Sequence, residues 1–296
     1  MTKICDLTPE SLLTKADTKT KPQLGLNLDL FDLFDLVAFL TVFSLFRISH
    51  IPLDMGMTIG SAVLVCWTAV RRSPWFWLGI VAAWLPRMYF DFHHYEDHCF
   101  FAIYWCGALG LACMGKRVNF SMRHSARLMI GLCFAIGFVW KIISPEFFES
   151  SLFHFKLLFD FRFEEMVTQP IGGLSSLASQ ENLDAYQKIR MSAPGSEVSL
   201  HIPQRVTWLA YAMTVWTIII EGAISWAFLF SGKLAERSRD LILMFFMLST
   251  YFVVPVMGFA SVFTAMGVAQ TRSNRMRIAY LVTHGILFVW YTVRMG

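Results

Sequence analysis

The stretch VTWLAYAMTVWTIIIEGAISWAFL, residues 206–229, carries a single charged side chain, Glu221. A helix of roughly 20 apolar residues spans the hydrocarbon core of a bilayer, and this run is long enough to do so. A helix of the same length on the surface of a soluble protein needs a charged face toward water, which this run lacks. The stretch therefore predicts a transmembrane helix.

The composition of the whole chain extends this prediction. Of its 296 residues, 56% are hydrophobic and only 16% are charged, whereas an ordinary soluble domain has about 25% charged residues. Too few charged side chains remain to cover a surface in contact with water. We therefore expect an all-α fold, a polytopic integral membrane helix bundle whose partner is the lipid bilayer.

The formal net charge of +4 does not indicate a nucleic-acid partner, because the positive side chains lie in short clusters between apolar runs. Such clusters set the topology of a membrane protein. With the N-terminus in the cytoplasm, the clusters at residues 71–72, 116–117, 123–127 and 233–239 fall on the inner side. We therefore predict a multi-pass protein of the cell membrane with a cytoplasmic N-terminus.

Seven further apolar runs accompany the first. They occupy residues 30–46, 55–70, 75–90, 99–114, 127–141, 241–269 and 278–293. Together the runs predict about 7–9 transmembrane or re-entrant helices. The run at 241–269 is long for one span and short for two, and it contains Pro255. It is either a broken, re-entrant helix or a single helix kinked at the proline.

Two polar segments lie outside the runs. Residues 1–25 are predicted to be a polar tail, and residues 26–296 a single transmembrane domain. Residues 142–205 form an insertion that we interpret as a small extramembrane cap. Its start, with Ser144 suited to an N-cap and Pro145 to the first helical position, predicts an aromatic-rich helix in the membrane interface.

The densest group of ionisable side chains is DFHHYEDH, residues 91–98. His94 and His98 are four residues apart and would share one face of a helix, as paired metal ligands do. The remaining histidines are isolated in the sequence, so we predict no metal site. The stretch is either the rim of a binding pocket, with Asp91 and His93 as further candidates, or a polar turn at the membrane surface.

Two charged residues inside apolar runs are the sharper candidates. Lys141 ends the run at 127–141, and a lysine in apolar surroundings can act as a base; the alternative is an amine that reaches out to the lipid headgroups. Glu221 is costly at membrane depth unless it is neutral or paired. It either carries protons or binds a substrate, or it is the structural partner of Arg87 or Lys141.

A family resemblance adds to these observations. DFHHYEDH, one further span, a basic loop and then GFVWKIISPEFFESSLFHFKLLFD (residues 137–160) resemble the membrane part of the vitamin K-dependent gamma-carboxylase family. A related bacterial group is called the horizontally transferred transmembrane (HTTM) domain. The resemblance covers roughly residues 75–165, and more loosely residues 206–293.

The resemblance implies a mechanism. A lysine at the position of Lys141 is the base that starts oxygenation of a reduced quinone in the carboxylase, and His94 matches a histidine near that site. The cofactor implied is therefore a quinone. Two departures separate this chain from the carboxylase: it ends at Gly296 without room for the family's large lumenal domain, and STYFVVPVMGF (residues 249–259) lacks the family's later histidine. The chain is more similar to short HTTM-like bacterial proteins.

Three functional hypotheses follow. The first is an enzyme that acts on a lipid or quinone, with Lys141 and His94 as catalytic residues. The second is a transporter or lipid-handling protein, with Glu221, Arg87 and the broken run at 241–269 forming a site near the membrane midplane. The third is a non-catalytic membrane partner that uses the cap as its interaction surface.

Overall fold

The computed structural model describes residues 32–46, 52–164, 167, 171–191 and 199–295. These residues belong to one unit of the chain, Phe31–Gly296, and the polar tail predicted for residues 1–25 lies outside them. Every regular element in the described part is a helix. The predicted all-α class is therefore confirmed.

The α-helices of the described part cover every predicted apolar run, but the run at 55–70 is divided between two helices and three further helices lie in the cap. In chain order, the α-helices are α1 (Leu33–Phe46), α2 (Pro52–Leu64), α3 (Thr68–Arg71), α4 (Pro74–Phe90), α5 (Asp97–Met114), α6 (Val118–Ile143), α7 (Pro145–Phe148), α8 (Ser151–Phe159), α9 (Ser176–Met191), α10 (Gln204–Leu229), α11 (Lys233–Tyr251), α12 (Met257–Gln270) and α13 (Asn274–Met295). Two short 3₁₀ turns, Phe92–His94 and Phe161–Phe163, complete the elements of these ranges.

Four helices, α5, α6, α10 and α13, are long and apolar enough to cross a membrane, and α1 and α12 are shorter apolar helices. Because the side chains that face away from the bundle are also largely apolar, among them Ile136 and Ile219, water is a poor solvent for this surface. The structure is thus compatible with the membrane protein that the composition predicts.

The long helices connect two faces of the bundle. Arg127, in the first half of α6, donates hydrogen bonds to the carbonyl oxygens of Phe228 (2.7 Å) and Phe230 (3.0 Å) at the end of α10. The two helices are therefore antiparallel. We call the face that holds the loops at residues 115–117 and 230–232 the basic face. The opposite face holds residues 91–96 and 144–150.

The predicted broken run at 241–269 is two helices. Pro255 lacks the N–H that a continuing helix needs, and it disfavours helical backbone at Val254; α11 accordingly ends at Tyr251 and α12 begins at Met257. Asp240, near the start of α11, accepts hydrogen bonds from the Gln270 amide and from Thr271 Oγ1 (2.9 Å) just after α12. The run therefore forms a hairpin that returns to the basic face.

Helix α12 is the centre of the bundle. Each of its residues except Phe259 is buried, and it packs against α1, α5, α6 and α13. Small residues such as Ala260 and Ala265 let the surrounding helices approach closely. The hydroxyls of Ser261 and Thr264 donate to carbonyl oxygens one turn earlier in α12, so these polar groups are satisfied without leaving the helix.

The cap begins as predicted, with Ser144 as the N-cap of α7 and Pro145 at its first turn. The single interfacial helix expected there is instead two short helices, because Ser150 adopts a left-handed conformation (φ 62°) between α7 and α8. The cap has a small core of its own, in which Leu157, Phe163 and Leu174 pack against the first turns of α10.

Because α11 and α12 form a hairpin, the loop before α11 and the loop after α12 are expected on the same side of a membrane. In a chain without its native cysteines, Ser231→Cys and Ser273→Cys will react with a membrane-impermeant maleimide from the same side of a sealed vesicle. Glu149→Cys, at the opposite face, is the matched control and will react from the other side. If residues 233–270 crossed the membrane only once, Ser231→Cys and Ser273→Cys would react from opposite sides of the vesicle.

Candidate functional site

The antiparallel pair α6 and α10 has the most extensive helix contact of the described structure. Two glycines allow the close approach. A side chain at Gly131 would meet Leu229 and Phe228, and a side chain at Gly222 would meet the ring of Phe138. This packing brings the end of α6 against the second half of α10.

Lys141 and Glu221 meet at this contact. Lys141 Nζ lies 2.9 Å from Oε1 and 2.7 Å from Oε2 of Glu221, and the two side chains are only 16% and 13% exposed. The ammonium group also lies 5.3 Å from the centre of the Phe147 ring, within the range of a cation–π contact. Of the two partners expected for Glu221, the structure selects Lys141.

Gly137 provides the space for this ion pair. It lies one helical turn before Lys141, and a Cβ atom there would be 3.0 Å from Glu221 Oε2 and 3.6 Å from Lys141 Nζ. Side chains on a helix point back toward its N-terminus, so Lys141 reaches over Gly137 into the contact between α6 and α10. The amine is therefore engaged inside the bundle, in contrast to the alternative in which it extends to the headgroups.

The energetics of such a pair point to a role beyond stability. Each charge loses several kcal/mol of solvation on burial, and apolar replacements of a buried ion pair are often as stable or more stable. Ionisable residues within membrane segments are accordingly rare and functional by default. Cys133 and Tyr251 are also close enough to interact electrostatically with Glu221.

Sequence reasoning missed these two neighbours. Cys133, Gly137 and Lys141 recur every four residues on one face of α6, so the helical period alone identifies Cys133. No comparable signal identifies Tyr251, whose proximity to Glu221 depends on the packing of α11 against α10.

A second polar cluster holds Arg87. Its Nε lies 3.3 Å from Oδ1 of Asp54, and the Tyr95 hydroxyl donates to both carboxylate oxygens of Asp54 at 3.3 and 3.1 Å. Asp54 is fully buried, and burial raises the pKa of Tyr95 above its ordinary value. Arg87 is thus committed to Asp54, which the sequence marks only as an acidic residue in the first turn after Pro52.

The stretch 91–98 divides between the surface and the interior. Asp91, His93 and His94 are exposed around the short turn Phe92–His94. Within the described residues no hydrogen bond or ion pair joins His94 to Lys141, so the structure does not bring this expected catalytic pair into direct contact. His98 is buried, with Nδ1 3.3 Å from Glu96 Oε2.

His98 lies beside the break between α11 and α12. Its ring packs 5.5 Å from that of Phe259, and it lines a cavity of about 140 Å³ together with Glu96, Arg162 and Gly258. A neighbouring cavity of about 410 Å³ shares Glu96 and Arg162. Neither cavity is lined by Lys141 or Glu221. The opposite face therefore offers a candidate ligand site that is separate from the ion pair.

Comparison of the chain with protein-family models, with curated proteins and with solved structures found no significant match.

The contact between His98 and α12 yields a stability prediction. A methyl group at Gly258 would overlap the imidazole ring, and overpacking of this kind costs about 1–3 kcal/mol. We expect Gly258→Ala to lower the free energy of unfolding by this amount, measured by denaturant unfolding in mixed micelles.

The cause is tested by repeating the substitution in a His98→Ala background, where Gly258→Ala will cost little because the overlapping ring is gone. Gly107→Ala is the matched control, since its methyl would lie at an ordinary 3.7 Å from Val81. Equal costs of Gly258→Ala in both backgrounds would show that His98 does not pack there.

Proposed function

We propose that this protein is a multi-pass membrane protein in which the pair Lys141–Glu221 is the acid–base site for a lipid or quinone that enters from the bilayer. In this proposal α1, α2, α4, α5, α6, α10, α11, α12 and α13 are the spanning or re-entrant segments. Four of them, α5, α6, α10 and α13, are long and apolar enough to cross a membrane. Arg127, Lys233 and Arg272 belong to the basic face, so the positive-inside rule assigns this face to the cytoplasm.

One observation carries the proposal: a charged pair is held between two helices whose adjacent outward residues are apolar. Trp140 and Ile143 on α6, and Ile219 on α10, are exposed on the bundle surface next to the pair. A hydrophobic ligand therefore reaches Lys141 laterally through the membrane without crossing a polar barrier. The residual exposure of both charged side chains leaves a path for a small polar headgroup.

The pair can take a proton from a hydroxyl group. Glu221 accepts the proton, and the ammonium of Lys141 stabilises the oxyanion that remains on the ligand. If Glu221 already holds the proton of the pair, the neutral amine of Lys141 accepts the ligand's proton instead, and the products have the same charges. Low dielectric surroundings strengthen the attraction between ammonium and oxyanion.

The resemblance to the vitamin K-dependent gamma-carboxylase family supports a hydroquinone as this hydroxyl compound, because the lysine of that family deprotonates a reduced quinone. His94, His93 and Asp91 remain candidates for the rim of the entry route. Their exposure on the opposite face is compatible with contact to a headgroup.

A second candidate function is a transporter or lipid-handling protein. The observation that favours it is the break at residues 252–256, where Pro255 and Val256 line the cavity together with Glu96, His98 and Arg162. Interrupted helices next to charged residues form the substrate sites of many transporters. Solute or lipid flux in proteoliposomes that is lost with Arg162→Gln, and kept with Lys141→Met, would favour this candidate.

The enzymatic proposal is tested with menadiol as the reduced quinone and purified protein in nanodiscs. The anion of a hydroquinone reacts with oxygen faster than the neutral form, so deprotonation appears as protein-dependent oxygen uptake at an oxygen electrode. We expect Lys141→Met to reduce this uptake about 100-fold, the usual scale of general acid–base catalysis.

Lys188→Met removes an exposed lysine of α9 and is the matched control, with uptake unchanged. Because Lys141→Met alone leaves Glu221 unpaired, the double variant Lys141→Met/Glu221→Gln is assayed beside it; it removes both charges, keeps the packing of α6 on α10 and will be inactive. Wild-type uptake in either Lys141 variant would refute the proposal.

A further inference from the structure

The basic face contains a cavity whose lining is rich in arginine. Its volume is about 420 Å³, and it lies where the start of α6, the start of α11 and the loop after α12 meet. Four arginines line it, against two carboxylates: Arg123, Arg127, Arg239, Arg272, Glu236 and Asp240. His124 and Phe120 complete the side formed by α6.

The carboxylates of the cavity do not pair directly with these arginines, although Asp240 and Glu236 both attract Arg239 at longer range. Asp240 accepts hydrogen bonds from neutral donors, namely the Gln270 amide, Thr271 Oγ1 and the Tyr280 hydroxyl at 3.1 Å. Glu236 is exposed. Within the residues that the structure describes, none of the four arginines forms an ion pair within 4.0 Å.

Two of the arginines also have buried nitrogen atoms that lack a hydrogen-bond partner in the described part of the chain, Arg123 Nε and Arg239 Nη2. A buried donor without a partner costs about 1–3 kcal/mol, and more when it is charged. Arg239 is in addition repelled by the neighbouring charge of Arg127. An anion in the cavity relieves both costs at once.

The geometry points to a binding site for the phosphate group of an anionic phospholipid in this cavity. Guanidinium groups bind phosphate oxygens through paired, charge-assisted hydrogen bonds, and basic pockets between membrane helices on the cytoplasmic side are where such headgroups bind. The site lies on the face opposite His94 and is independent of the chemistry proposed for Lys141.

The surface next to the cavity identifies the source of the phosphate. Phe120 is 65% exposed and begins an i, i+4 ridge of α6 that continues through His124 to Leu128, Leu132 and Ile136, all exposed. The ridge leads from the arginines along the apolar surface of the bundle. An acyl chain can follow it while the headgroup occupies the cavity, whereas free phosphate gains nothing from it.

The test is thermal unfolding of the full chain in a neutral detergent, with phosphatidylglycerol, phosphatidylcholine or inorganic phosphate added separately. A ligand that binds only the folded state raises the unfolding temperature in proportion to its affinity. We expect stabilisation by phosphatidylglycerol, and a roughly 30-fold weaker affinity for it in Arg123→Gln/Arg272→Gln, since each basic contact contributes about 1 kcal/mol.

Neither Arg123 nor Arg272 makes a side-chain hydrogen bond to another described residue, so their replacement leaves the fold intact. Lys116→Gln/Arg117→Gln is the matched control: it removes the same number of positive charges, two, from exposed positions on the same face outside the cavity, and it will bind phosphatidylglycerol like the wild type. Equal stabilisation of the double variant and the wild type would overturn the site. Equal stabilisation of the wild type by inorganic phosphate would overturn the lipid as the source.

Discussion

The close antiparallel contact between α6 and α10 is the constraint on which the arrangement of the bundle depends. The ion pair between Lys141 and Glu221 lies at one end of this contact, and the hydrogen bonds from Arg127 to the carbonyl oxygens of Phe228 and Phe230 lie at the other. Because α12 packs on α6 and the cap packs on α10, both the central helix and the outer cap take their positions from this pair of helices. A one-turn slip of α6 would separate both sets of partners.

Ion pairs also explain how other carboxylates are accommodated inside the bundle. Asp54 holds Arg87 and Tyr95 at the opposite face, and Asp35 receives two hydrogen bonds from Arg71 near the start of α1. Each of these carboxylates has a cationic partner, as burial of a charge requires. The arginine cavity of the basic face departs from this rule, which is why it is interpreted as a site that a ligand completes.

The sequence predicts the apolar helices and the break before α12, but it does not predict which distant residues come into contact. The positions of the helices follow from hydropathy, the break before α12 follows from Pro255, and Lys141 and Glu221 stand out because a charge in an apolar run is expensive. The partner of Arg87 and the fit of Gly258 against His98 depend on contacts between distant segments, which a single sequence does not display. The break between α7 and α8 is equally hard to predict. Its left-handed residue is Ser150, and the sequence there contains no glycine, the residue that usually adopts this conformation.

The central claim is that Lys141 and Glu221 act as one unit between α6 and α10, and a double-mutant cycle in bicelles measures this directly. The free energy of unfolding is compared for the wild type, Lys141→Met, Glu221→Gln and the double variant. The pairing predicts a coupling free energy of about 1–3 kcal/mol, with the double variant more stable than the sum of the single losses implies. Additive losses, with no coupling between the two residues, would contradict it.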